Sequence, residues 1–143
     1  MESGRQLQLA AWAFAGATLL GSVVSIRNNV PGEPLGIRLP LSVPAAVLVG
    51  WGAGVAAPWP MPVAAVVAAT RRRGTSARMR GVMCAAIGAA CIAGTLVEPV
   101  TRRPQTWTPG MRSAILANMA TSAAMIAVSL LTPPRGSVGS DEF

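Results

Sequence analysis

Two carboxylates stand apart from the rest of this chain. Of its five acidic residues, Glu2, Asp141 and Glu142 sit at the termini, which leaves Glu33 and Glu98. Each is followed by proline and has an arginine five positions on, in EPLGIR (33–38) and EPVTRR (98–103). A carboxyl group partly withdrawn from water holds its proton to higher pH, and a second carboxylate beside it drives the two apart in acidity. Such a pair can deliver a proton at one carbon and remove one at another. Isomerisation or cyclisation of a lipophilic, isoprenoid-like substrate needs little more, provided aromatic faces steady the positive charge. On this reading Glu98 is the acid and Glu33 the base. Trp51, Trp59 and Trp107 are walls, and Arg38, Arg102 and Arg103 hold a phosphate or carboxylate head group. Asn118, an amide deep inside an apolar run, joins the candidate binding residues.

The element that positions Glu98 is the stretch 81–99, GVMCAAIGAACIAGTLVEP. Gly81, Cys84, Gly88, Cys91, Thr95 and Glu98 recur at steps of three and four, the inward seam of a packed helix. Every seam residue but the last is small, which lets backbones approach closely in lipid. Pro99 ends the helix. Cys84 and Cys91 lie seven residues apart, about 10 Å along a helix at ~1.5 Å per residue. That is beyond the ~7 Å Cα limit for a disulfide, so both are expected as packing residues.

Composition sets the class. The chain has 143 residues, 52% hydrophobic and only 12% charged, against about 25% charged in soluble domains. The charges cluster and leave long uncharged runs, so the expected fold is an all-α membrane protein: a bundle of four transmembrane helices with short loops. The spans are expected at about 7–26, 41–69, 81–98 and 111–132, with a polar, disordered tail over 133–143. The first run could pass for a signal peptide, but its length favours a retained span. The second is expected to be broken by prolines at Pro58-Trp59-Pro60-Met61-Pro62, between a helix over 44–57 and a piece over 63–70, with a re-entrant segment as the alternative. Non-helical backbone at that depth must be covered by protein or line a cavity. Ala11, Ala15, Thr18, Ser22 and Ser25 form one packing face on the first span. Ile115, Asn118, Ser122, Met125 and Ser129 form another on the fourth.

Basic residues give the orientation. All twelve are arginine, for a net charge of +7, and five fall in RRRGTSARMR (71–80). Dense short clusters resist translocation, so that loop and both termini are expected in the cytoplasm, with the chain a multi-pass protein of the cell membrane. Glu33 and Glu98 then share the outer face. The two EPxxxR segments also hint at a duplication of helix pairs.

Other classes fit less well. No histidine occurs, so His-based catalysis, haem ligation by His and His-containing zinc sites are excluded, and no metal or cofactor is expected. Lysine and a phosphate-binding glycine loop are absent, and the arginines separate apolar runs as topology signals do, so no nucleic-acid partner is expected. A transporter places an ionisable group near mid-bilayer, whereas Asn118, Thr18, Ser22 and Ser122 are uncharged. The main alternative is an accessory bundle without catalysis. It would dock on a membrane protein partner, or on a second copy as a homo-oligomer, through Gly50, Gly54, Gly81 and Gly88.

Overall fold

The computed structural model describes residues 2–33, 36–37, 39–71 and 74–131. Arg38, Arg72, Arg73 and the expected tail 133–143 lie outside them. The described chain is all helical: α1 (Glu2–Asn28), α2 (Val43–Leu48), α3 (Pro60–Thr70), α4 (Ala77–Val97) and α5 (Pro109–Leu130), with a short 3-10 turn at Pro104–Thr106. Three helices, α1, α4 and α5, are long and apolar enough to cross a membrane. Their ends fall within a few residues of the expected spans, since Ser76 and Thr108 cap α4 and α5 through their side chains.

α5 packs along both α1 and α4, and α3 packs against the same two helices. The expected seam forms: Gly81, Cys84, Gly88 and Cys91 are the buried residues of α4. A Cβ on Gly88 would stand 2.7 Å from the Ser122 carbonyl oxygen of α5, so the absent side chain sets that helix–helix distance. Both cysteines remain free thiols. Leu7, Ala10, Ala11 and Phe14 of α1 meet Ala65, Ala68 and Ala69 of α3, with Cys84, Cys91 and Met125 closing the core. Leu9, Leu19, Val67, Val82 and Leu116 point outward and are exposed, as lipid-facing side chains would be.

The second apolar run departs from expectation. Its first helix stops at Leu48 rather than continuing to residue 57. Glycine ends it: Gly50 and Gly52 both adopt positive φ, 83° and 89°, a conformation other residues resist. Gly50 and Gly54 therefore lie on irregular backbone rather than on a helix face. The prolines start a helix instead of breaking one, with Pro60 and Pro62 in the first turn of α3, where a missing N–H costs nothing. Residues 49–59 form an irregular segment folded into the molecule, with a tight Ala53–Ala56 bridge. Between Glu33 and Arg71 the chain passes from one end of the molecule to the other. Glu33 meets Glu98 after the C-terminal end of α4, and Arg71 meets Arg80 near its start.

Buried irregular backbone needs partners. Asn118 Nδ2 donates to the Val55 carbonyl at 3.0 Å, and the Val55 N–H donates to Ser25 Oγ at 3.4 Å. Trp51 N–H donates to Ala46 O at 3.0 Å, and Gly54 N–H to Val30 O at 3.4 Å. Gly21 admits this segment against α1, because a Cβ there would collide with the Val55 carbonyl oxygen and lie 3.1 Å from Ala56 Cα. Gly16, on the same helix, faces open space. Gly21→Ala is therefore expected to destabilise the protein by about 1–3 kcal/mol, while Gly16→Ala is neutral or slightly stabilising. Thermal unfolding of both variants in one mild detergent checks this.

Candidate functional site

Glu98 is the C-cap of α4, one residue beyond the membrane-length helix. It is only 7% exposed. The loop after α1 closes over it, and the Glu33 main-chain N–H donates to Glu98 Oε1 at 2.6 Å. Glu33 and Glu98 are thus brought together, through the backbone of one and the side chain of the other. The two glutamates do not occupy equivalent positions. Glu98 caps its helix directly, whereas Glu33 follows a turn through Asn29, at φ 51°, beyond the end of α1.

A cavity of about 210 Å³ lies beside Glu98. One wall is the irregular segment, including Trp51, Gly54 and Pro58; the other is the last turns of α4, with Cys91, Gly94 and Thr95; Asn118 reaches it from α5. Gly54 lets the segment press against the loop that carries Glu33: a Cβ there would stand 2.6 Å from Val30 Cγ1 and 2.8 Å from Pro31 O. Ala90 and Gly94 line the cavity and are also exposed on α4, so it communicates with the molecule's lateral surface.

Asn118 is 2% exposed. Its amide donates to Val55, Ala17 and Ala114 carbonyls at 3.0, 3.4 and 3.2 Å, and its oxygen accepts from Thr18 Oγ1 at 3.5 Å. The amide holds three stretches of backbone in place as well as lining the cavity. Trp51 is 38% exposed at the rim.

The other expected site residues lie elsewhere. Trp59 packs on Val43, Val47 and Ala53. Trp107 donates its indole N–H to Val100 O at 2.8 Å and packs near Val24 and Met111; it secures the loop after α4. Arg102 and Arg103 are exposed and do not line the cavity. Arg38 is outside the described residues. Thr95 and Cys91 line the cavity although neither was among the expected site residues; their place on the Glu98 seam was the available signal. No group of three or more metal-ligating side chains occurs among the described residues.

The glycines proposed for docking are used internally. Gly54 packs on Val30, Gly81 near Ser129 and Gly88 on Ser122, and a Cβ on Gly50 would stand 3.5 Å from Pro60. Comparison with known proteins finds no matching family, no matching characterised protein and no matching solved structure. The class therefore rests on the fold: a helical protein with three helices able to cross a membrane and a carboxyl-lined cavity at one end.

Burial pushes the Glu98 carboxyl above the ordinary carboxylate range. The Glu33 N–H opposes the rise and the nearby Glu33 charge adds to it. Because the folded state holds this proton more tightly than the unfolded one, stability falls as pH rises from about 4.3, the ordinary glutamate value, to the raised native value. In Glu98→Gln the side-chain amide oxygen could still accept the Glu33 N–H, but the group could not titrate. Thermal midpoints of wild type and Glu98→Gln across that pH range are expected to show a downward slope that the variant lacks.

Proposed function

We propose that this is a multi-pass protein of the cell membrane, with four crossings packed as a bundle and both termini cytoplasmic, that takes a lipophilic small molecule into the cavity beside Glu98. The chemistry proposed is acid-initiated isomerisation or cyclisation. A protonated Glu98 donates to a carbon–carbon double bond and becomes a carboxylate. The resulting cation is steadied by the Trp51 indole face. The carboxylate then takes a proton from another carbon, so the carboxyl is regenerated and no co-reactant is consumed.

One observation carries this reading: a buried carboxyl lines an otherwise largely apolar cavity, and burial raises its pKa. Groups of this kind in concave sites are candidates for acid–base work. The volume, about 210 Å³, is below the ~300–1,000 Å³ of typical ligand pockets. It suits the reactive end of a chain rather than a whole lipid. The separate base expected at Glu33 is not required, since Glu98 can perform both transfers. The exposed Arg102 and Arg103 remain proposed head-group ligands outside the cavity.

The accessory reading is less well supported, because the glycine faces it relied on are filled by the chain's own helices and loops. Mass spectrometry of small molecules that co-purify in mild detergent tests the choice. A lipophilic compound is expected with wild type, altered in abundance or structure with Glu98→Gln and lost with Trp51→Ala. A stoichiometric partner protein, no small molecule and no effect of either substitution would overturn the proposal.

A further inference from the structure

The opposite end of the molecule carries a second concavity. It measures about 370 Å³ and lies between the start of α4 and the end of α5. Ala77, Gly81, Val82 and Ala85 form one side, Ser129 and Leu130 the other, and Arg78 stands in its wall. Gly81 forms the floor of the groove: it is buried against α5, where a Cβ on it would stand 3.6 Å from the Ser129 carbonyl oxygen, in ordinary contact. Val82 and Leu130 are 57% and 77% exposed, so the lining is apolar and opens sideways where acyl chains would lie.

The surrounding charge is predominantly positive. Arg5, Arg71, Arg78 and Arg80 belong to this end, with Glu2 the acidic residue near it, and residues 70–80 contain no acid. The arginines are not equivalent. Arg80 Nη1 donates to the Arg71 carbonyl at 3.3 Å and ties α4 to the end of α3. Arg78 is exposed and borders the groove. An apolar slot with a guanidinium at its mouth matches one amphiphile, an anionic phospholipid. The acyl chain would lie over Gly81 and Val82, and the phosphate would pair with the guanidinium fork.

We infer that the groove between α4 and α5 is a binding site for a single anionic phospholipid, with Arg78 as the head-group ligand. The site is separate from the Glu98 cavity and does not depend on the function proposed there.

The test is native mass spectrometry of the full chain, purified and exchanged into mixed micelles of phosphatidylglycerol and phosphatidylcholine in equal amounts. Wild type is expected to retain one phosphatidylglycerol in preference to phosphatidylcholine. Arg78→Gln is expected to lower that preference about fivefold, the effect of one basic residue near a membrane surface. Ala85→Leu, which fills the groove without changing charge, is expected to reduce retention of both lipids. Arg5→Gln, on α1 at the same end, is expected to leave the preference intact. Circular dichroism and a single elution peak verify that each variant is folded. Equal retention of the two lipids by wild type, or equal losses in Arg5→Gln and Arg78→Gln, would overturn the assignment; the second result would mean a diffuse attraction to the whole basic end.

Discussion

Backbone polar groups in an apolar setting have to be paired within the protein, and residues 49–59 are where this constraint is tightest. The long helices pair their own amides and carbonyls. The irregular segment between α2 and α3 cannot, so its neighbours supply partners. Asn118 of α5 binds the Val55 carbonyl, and Ser25 of α1 accepts from the Val55 N–H. An unmade hydrogen bond on a buried group costs about 1–3 kcal/mol. The Asn118–Val55 bond therefore helps fix how α1, α5 and the segment lie against one another. Gly21 and Gly54 follow from the same requirement, because the segment can reach its partners only where no side chain intervenes.

The cavity is a consequence of that arrangement. A continuous helix over residues 43–70 could pack along α1 and α4 as the other helices do. A folded loop leaves space, and the space opens beside the end of α4, where the small-residue seam gives way to Thr95 and Glu98. Pro99 stops the helix at that level, and the loop carrying Glu33 closes over the carboxyl. The same shortage of side-chain bulk therefore allows close helix packing at Gly88 and an empty volume at Gly94, where a Cβ would touch nothing within 4 Å. The volume and the carboxyl together are what the proposed chemistry needs.

Much of this could be read from residue order. The helical periods of α1, α4 and α5 placed most of their inward faces: Ala11, Thr18, Ser22 and Ser25, the Gly81–Glu98 seam, and Ile115, Asn118, Ser122 and Met125 are buried, apart from the partly buried Thr95, while Ala15 and Ser129 at the edges of their faces are only partly buried. Periodicity is strong over twenty residues. It is weak over six, so the stop after Leu48 was missed; positive φ at Gly50 and Gly52 depends on tertiary contacts that no local pattern encodes. The prolines misled in the opposite sense, because the same residue breaks a helix from within and starts one at its first turn. Glu98, Trp51 and Asn118 line one cavity, while Trp59 and Trp107 fill packing sites. An indole is equally suited to a cavity wall and to a packed loop, and only the fold separates the two uses.

The proposed four crossings require a six-residue helix, a buried loop and an eleven-residue helix to complete one passage across the membrane together. The most direct test is sidedness. On a background of Cys84→Ala and Cys91→Ala, single cysteines at Ile37 and Thr75 flank the passage. A membrane-impermeant thiol reagent applied to sealed vesicles is expected to label Ile37→Cys from one side only and Thr75→Cys from the other only. Labelling of both from the same side would mean that residues 41–70 enter and leave by one face, and would contradict the account.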